Sequence, residues 1–181
     1  MAMIQVRRLT PDEWRLWREI RLAALADAPY AYGSTLEHEQ AFDESVWRER
    51  LSAAGSMTAV ALDGTEPAGA MAVFTPAGAA VPMLVAAWVH PAHRGRGVGD
   101  ALVSDVLAWV RETGRDRIEL RVADGNEPAR RLFTRHGFVP TGDRERLESD
   151  PSVLTERLAW TAETDGEPRT RESEVERVPR S

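Results

Sequence analysis

Cysteine and lysine are both absent from the 181 residues of the chain, and asparagine occurs once. Without cysteine the protein has no disulfide, no thiolate zinc site and no cysteine nucleophile. The four histidines are scattered without metal-site spacing, so we predict no metal. All 23 basic residues are therefore arginine, and 29 acidic residues bring the formal net charge to −6. This acidic balance argues against a nucleic acid as the main partner.

Long hydrophobic runs are missing as well, since no apolar stretch approaches the length of about 18 residues that spans a membrane. No charged and then apolar leader opens the sequence, so we expect a soluble, cytoplasmic protein without membrane association. The hydrophobic content of 43% suffices for a sizeable core. The length predicts one domain, residues 1–161, followed by a tail. Residues 162–181 lack apolar periodicity, and we predict that they are disordered.

The most informative stretch runs from residue 83 to residue 110. Met83 to Val89 is a short apolar run ended by Pro91, which is typical of a buried strand. From Gly97 onward the apolar residues recur with a helical period, at Leu102, Val103, Val106, Leu107, Trp109 and Val110. The intervening basic, glycine-rich loop therefore stands where a helix begins. The free N–H groups and the positive dipole end of a helix start favour an anion there.

The spacing of the glycines indicates which phosphate-binding pattern the loop resembles. The P-loop pattern fails because no Gly-Lys-Ser/Thr is present, and the dinucleotide pattern fails because Asp100 stands where its third glycine or alanine belongs. Arg94-x-x-Gly97-x-Gly99, following an apolar strand, does fit a known pattern. It resembles the pyrophosphate loop of the Gcn5-related N-acetyltransferase (GNAT) superfamily, whose members bind acetyl-coenzyme A.

A second segment supports this resemblance. Asn126-x-x-Ala129-x-x-Leu132-Phe133-x-x-x-Gly137-Phe138 is similar to the other recurrent segment of the superfamily, at the expected distance downstream. Near the N-terminus, the segment from Arg21 to Ser34 also looks like many uncharacterised members that act on small molecules or peptides. The resemblance covers about residues 1–160.

The periodicity and turn signals predict the element order β–α–α–β–β–β–α–β–α–β–β. The resemblance implies an α/β fold of GNAT type, with a mixed, mostly antiparallel central sheet of about seven strands. The sheet would be splayed at the cofactor site and flanked by four to five helices.

The resemblance also implies which residues hold acetyl-coenzyme A, the co-substrate. The central strand would pair with the pantetheine arm, the glycine loop would hold the pyrophosphate, and the later helix would border the active site. Arg130 on that helix could reach a 3′-phosphate, although a solvated helix face is an equal alternative. The predicted cofactor-binding residues are Ala87, Trp88, Val89, Arg94, Gly95, Arg96, Gly97, Val98, Gly99, Asn126, Arg130 and Phe133.

The catalytic groups are less well defined. Phe133 occupies the place where many family members carry a tyrosine that protonates the departing thiolate, and phenylalanine cannot do so. Tyr30, Tyr32 or a water could serve instead, and we name Tyr32 in the predicted site. Glu37 and Glu39 are the predicted general bases, on a short helix expected beside the acceptor pocket, with a solvated helix face as the alternative.

The predicted function is therefore an acetyl-coenzyme A-dependent N-acetyltransferase that acts on a small-molecule or peptide primary amine by direct attack in a ternary complex. The sequence is compatible with either a monomer or a homodimer. One alternative is an acyl-coenzyme A sensor or pseudo-enzyme of the same fold, which the missing tyrosine favours. The other is a nucleotide-binding α/β domain, which the failed glycine patterns disfavour.

Overall fold

A computed structural model of the protein describes residues 3–163. Five α-helices and seven strands follow one another in the predicted order, except that three helices, not two, lie between the first and second strands. Single 3₁₀ turns occur at Pro11–Glu13, Pro29–Ala31 and Pro91–His93. The strands are β1 (Ile4–Arg8), β2 (Met57–Asp63), β3 (Glu66–Phe74), β4 (Met83–Val89), β5 (Arg117–Ala123), β6 (Val139–Leu147) and β7 (Asp150–Thr161). The helices are α1 (Trp14–Asp27), α2 (Leu36–Gln40), α3 (Glu44–Ser52), α4 (Val98–Glu112) and α5 (Glu127–Arg135).

The strands form one seven-stranded sheet in the order β1-β2-β3-β4-β5-β7-β6. Every neighbouring pair is antiparallel except β4 and β5, which are parallel. These two strands pair only at Met83 and Glu119, where the N–H of Glu119 also donates to the carbonyl oxygen of Pro82 at 3.0 Å. Beyond this point β4 and β5 part, so the sheet is splayed as predicted.

A bulge in β4 lies beside the splay. Opposite β3 the register passes from Ala72 and Val85 to Ala70 and Trp88, which leaves an extra residue on the β4 side. Ala86 adopts a φ of 54° there, a conformation that alanine rarely takes. A bulge leaves backbone groups outside the ladder and redirects the strand, so part of the β4 edge is free to pair with something other than a strand.

The two faces of the sheet are covered differently. On one face α4 buries Leu102, Val103 and Val106 in a core that also includes Ile118 and Leu158, so this core spans both sides of the splay. On the other face the core consists of residues 9–88 only, contributed by Leu9, α1 to α3, the turn at Pro29–Ala31 and its neighbours, and strands β2 to β4. The splay is therefore closed beneath α4 and open on the opposite face, where a cleft forms.

The predicted fold class is thus confirmed, and the strand, loop and helix of residues 83–110 lie where the sequence placed them. The first helix is preceded by the 3₁₀ turn at Pro11–Glu13, where Glu13 folds back to accept hydrogen bonds from the backbone N–H and hydroxyl of Thr10. Within residues 3–163, no helix is long and apolar enough to cross a membrane. The predicted disordered tail lies, from residue 164, outside the described residues.

Candidate active site

The open face of the splay contains a cleft of about 770 Å³. Its floor is the diverging pair β4 and β5, including residues 83–87 and 120–123. One end reaches α5 at Asn126, Ala129 and Phe133. The other end lies among α1, α2, α3 and the turn between β6 and β7. Because the predicted cofactor helix and the predicted acceptor helix lie at opposite ends, two reactants can enter from either side and meet over β4.

The three predicted residues of the central strand have different surroundings. Ala87 lines the cleft and its carbonyl oxygen accepts a hydrogen bond from the hydroxyl of Tyr32 at 3.0 Å. Trp88 is 6% exposed and turns away from the cleft, and its indole N–H donates to Asp27 at 3.0 Å. The side chain of Trp88 therefore belongs to the core, and only its backbone can face a ligand. The carbonyl oxygen of Val89 accepts from Nε of Arg94 at 3.1 Å.

The glycine loop presents its backbone to solvent. Gly95 and Gly97 have φ values of 73° and 79°, and a side chain at either would meet nothing within 4 Å. Gly97 caps α4 through its carbonyl, which accepts from the N–H of Ala101 at 3.0 Å. No acceptor within residues 3–163 receives the backbone N–H groups of residues 95–100. Such a row of free donors at a helix start is suited to a polyanion.

The arginines of this loop are already paired. Nη2 of Arg94 donates to Asp27, whose pKa is lowered by the hydrogen bonds from Trp88 and Arg94. Arg96 lies 3.2 Å from Asp63, which also contacts His93 at 3.3 Å. Each arginine thus pairs with one carboxylate and keeps further guanidinium donors, and the backbone N–H groups of the loop add to them.

Two further loop residues are structural. Val98 is 1% exposed and belongs to the core beneath α4. A Cβ on Gly99 would lie 3.0 Å from Cδ2 of Leu132, so this glycine allows α4 and α5 to pack closely. The sequence predicted close approach of a ligand at all three glycines, whereas Gly99 accommodates a neighbouring helix.

The predicted residues of α5 are brought to the cleft only in part. Asn126 lines it and caps the helix, because its Oδ1 accepts from the N–H of Ala129 at 3.3 Å. Phe133 also lines it, is 3% exposed, and packs edge to face on Phe138 at 5.5 Å. Arg130 instead forms an ion pair with Glu156 of β7 at 2.7 Å. Arg130 and residues 88–99 lie outside the cleft lining.

Tyr32 is the predicted catalytic residue that the structure places closest to the bulge. It is 7% exposed, and burial raises the pKa of its hydroxyl well above the ordinary value. The hydroxyl is therefore neutral and acts as a donor, held against the carbonyl of Ala87. Tyr30 is 61% exposed, which leaves Tyr32 as the tyrosine at the cleft.

The two predicted bases, Glu37 and Glu39, differ from each other in exposure and in their distance from the cleft. Glu37 is exposed and does not line the cleft. Glu39 lines the cleft but is 1% exposed, and its carboxylate is held by Arg21 at 2.8 Å and by Arg50 at 3.0 Å. Burial opposes its ionisation, but the hydrogen bonds and charges of these arginines win, and the pKa of Glu39 is lowered. A carboxylate so stabilised is a poor proton acceptor at neutral pH, so the free base expected here is corrected to a buried ion pair.

The cleft residues that we did not predict include Arg21, Arg50 and the turn between β6 and β7. Ser149 in this turn donates to the carbonyl oxygen of Tyr32, which ties the turn to the acceptor end of the cleft. Glu148 of the same turn also lines the cleft. The resemblance of residues 21–34 to uncharacterised family members did point to Arg21, but it did not show that this arginine is buried against Glu39. Within residues 3–163, no group of three His, Cys, Asp or Glu side chains is placed to hold a metal ion.

The chain matches the family model "Acetyltransferase (GNAT) family" over residues 14–138, which includes β4, the glycine loop and α5. The protein belongs to the GNAT acetyltransferase family.

Among curated proteins, this GNAT chain is similar to the mycothiol acetyltransferase of Beutenbergia cavernae, with 44% identity over 52 residues. The match covers 29% of the chain and 18% of that relative, so the chain spans less than a fifth of its length.

Solved structures share the fold at low sequence identity. YncA of Salmonella typhimurium, solved with its cofactor acetyl-CoA, matches with a TM-score of 0.70 and 18% identity over 93% of this chain and 99% of that one. NAA60 of Arabidopsis thaliana, in complex with a bisubstrate analogue, matches with a TM-score of 0.66 and 13% identity over 89% and 99% of the two chains. A GNAT acetyltransferase of Streptococcus pneumoniae matches with a TM-score of 0.67 and 16% identity, over 88% of this chain and 99% of that one.

Proposed function

We propose that this GNAT protein transfers the acetyl group of acetyl-coenzyme A to a primary amine by direct attack in a ternary complex. The observation that carries the proposal is the parting of β4 and β5 at the bulge of Ala86, which opens the β4 backbone into the cleft. An extended pantetheine arm pairs with such an edge as an additional strand would. The acceptor enters from the end bordered by α1 to α3.

The loop before α4 would bind the pyrophosphate. Its free N–H groups over residues 95–100 supply the main contacts, beside Arg94 and Arg96, which each pair with one carboxylate, Asp27 and Asp63. The arginines then contribute through their charge. Asn126 and Phe133 line the α5 end of the cleft and would border the arm.

In the proposed reaction, the lone pair of the amine nitrogen attacks the thioester carbonyl carbon and an N–C bond forms. A backbone N–H of residues 87–89 stabilises the oxyanion that develops. The C–S bond then breaks, the thiolate leaves, and the ammonium proton passes to solvent or to a carboxylate of the cleft. No residue of the cleft is required as a covalent nucleophile.

Phe133 lacks the hydroxyl that many family members have at this position. Tyr32 supplies a hydrogen-bond donor in its place but does not act as a full proton donor. Because burial raises the pKa of Tyr32 above that of a thiol at about 8.5, complete proton transfer to the thiolate is uphill. Its single O–H donates to the carbonyl oxygen of Ala87 in this structure, and it would rotate towards the sulfur to stabilise the developing negative charge. We propose that Glu39 orients Arg21 and does not act as the base.

Thiol release tests the proposal. The purified protein is incubated with acetyl-coenzyme A and a panel of primary amines, and free coenzyme A is measured with a thiol reagent. The protein itself gives no background, because the chain has no cysteine. We expect amine-dependent thiol release and an equal amount of acetylated amine by mass spectrometry. The sensor alternative, favoured by the lack of a hydroxyl at Phe133, predicts saturable binding of acetyl-coenzyme A without thiol release.

A further inference from the structure

The acceptor end of the cleft contains two arginines that share one buried carboxylate. Arg21 and Arg50 share the single carboxylate of Glu39, so one positive charge remains unbalanced within this cluster. The side chains of Arg21 and Glu39 are 9% and 1% exposed, whereas that of Arg50 is 37% exposed. Charges in so dry an environment interact more strongly than charges at the surface, and salt screens them less.

One donor of the cluster has no partner. Nε and Nη2 of Arg21 donate to the two carboxylate oxygens of Glu39 at 3.0 and 2.8 Å. Nη1 is buried, and no acceptor within residues 3–163 bonds to it. A buried donor without an acceptor costs about 1–3 kcal/mol, and such groups call for a specific explanation. Because Arg21 lines the cleft, a ligand can supply the missing acceptor.

From these observations we infer that Arg21 and Arg50 bind a carboxylate of the acceptor, so that the acceptor is an amino acid or another short amino carboxylate. The inference rests on the proposed acetyl transfer and specifies its acceptor class. A carboxylate balances the extra charge and accepts from the free guanidinium nitrogen, and guanidinium groups bind carboxylates with matched geometry.

The geometry favours a short acceptor. The guanidinium carbon of Arg21 lies 4.7 Å from the ring centre of Tyr32, and the hydroxyl of Tyr32 lies 3.0 Å from the carbonyl oxygen of Ala87. A single aromatic ring therefore separates the carboxylate site from the bulge. An acceptor held at Arg21 can reach the thioester with an amine only a few bonds from its carboxylate.

Acidic residues also line this end, and they favour the ammonium form of an approaching acceptor. Glu49 and Glu148 are exposed, so water and salt weaken their attraction for a cation. Glu145 is occupied by Arg121 at 2.5 Å. A polyamine would bring a net positive charge to Arg21 and Arg50, whereas an amino carboxylate carries a carboxylate that offsets the charge of its amine. The cluster therefore selects against polycations.

Matched acceptors test the inference directly. For the wild-type protein, kcat/KM is measured for a panel of L-amino acids, for their carboxamides and for linear polyamines. Each carboxamide keeps the amino group and the side chain and removes the carboxylate charge. Because this change also lowers the pKa of the amine, kcat/KM is compared per unprotonated amine. We expect the best amino acid to exceed its carboxamide by about tenfold or more, through KM, as is usual when a charge-assisted hydrogen bond is lost.

Variants assign the effect to the cluster. Arg21→Lys keeps the positive charge but loses the paired N–H donors of the guanidinium group. We expect the kcat/KM ratio of amino acid to carboxamide to fall towards one. Arg48→Lys is the control, because Arg48 lies on α3 outside the cluster and pairs with Glu44 and Asp12. If Arg21→Lys does not fold, the inference is tested by the ratio of amino acid to carboxamide in the wild-type protein and by the fall of that ratio in the Arg50→Lys variant. A wild-type ratio near one, or a preference for polyamines, overturns the inference.

Calorimetry separates this inference from the proposed function. N-acetyl amino acids and their carboxamides are titrated into the protein with coenzyme A present. If no amine is turned over but the carboxylate form binds in an Arg21-dependent way, the carboxylate site stands and the transferase proposal fails. If both forms bind equally or neither binds, the carboxylate site is refuted whatever the turnover.

Discussion

Replacing Glu39 by glutamine should destabilise the fold much more than the same replacement at Glu37. The amide would keep the shape of the side chain but leave two guanidinium groups without their counter-charge, one of them the buried Arg21. Breaking a buried ion pair on one side costs about 3–5 kcal/mol. This is a large fraction of the roughly 5–15 kcal/mol that stabilises a domain. Glu37→Gln is the matched control, and its exposed position on α2 predicts a change within about 0.5 kcal/mol.

The assay is equilibrium urea unfolding followed by circular dichroism, at several pH values. Because the pKa of Glu39 is lowered in the folded state, its contribution to stability is fully present above the unfolded-state pKa of about 4.3. That contribution is lost as the pH falls through the folded-state pKa. The gap between wild type and Glu39→Gln should therefore be full at pH 7 and should narrow below about pH 4. A loss as small as that of Glu37→Gln, or a gap that is constant with pH, would refute the reasoning.

Three further changes address the cofactor side. Gly97→Glu should abolish acetyl-coenzyme A binding by calorimetry, whereas Gly64→Glu should not, although both glycines have positive φ and open surroundings; equal affinities would contradict the loop assignment. Gly69→Ala should lower the free energy of unfolding by about 1–3 kcal/mol, since a Cβ there would lie 2.6 Å from the carbonyl oxygen of Trp88 on β4; an unchanged urea midpoint would show that the strands can separate freely. Phe133→Tyr should leave turnover nearly unchanged because Tyr32 already supplies a hydroxyl, and a gain of about tenfold would show that residue 133 still governs thiolate release.

Local patterns predicted the elements of the cofactor side because those elements depend on neighbouring residues. The apolar run from Met83 to Val89 and the breaker Pro91 fixed β4, and the glycines together with the amphipathic helix fixed the loop. The bulge at Ala86 had no sequence signal, since alanine has no preference for a positive φ. Its conformation depends on pairing with β3.

The acceptor side was predicted poorly because its contacts join distant residues. Glu39 lies on a helix of five residues, too short for periodicity to show which side is buried. Its burial depends on Arg21, 18 residues away, and on Arg50, 11 residues away. In the same way, Asp27 engages Arg94 across 67 residues, so a loop arginine that looks free in the sequence is paired in the fold.

The splay also divides the chain into two sequence-local halves. Strands β1 to β4 follow one another as antiparallel neighbours, and β5 to β7 form a second antiparallel group, so within each half the strands form without a parallel crossover. The halves share one backbone pair, at Met83 and Glu119, and the core beneath α4. A ligand that hydrogen-bonds along β4 and contacts α5 therefore acts as a non-covalent cross-link between two folding units. Amide hydrogen exchange along β4 and β5 should slow together when the cofactor binds, because opening either half would first require its release.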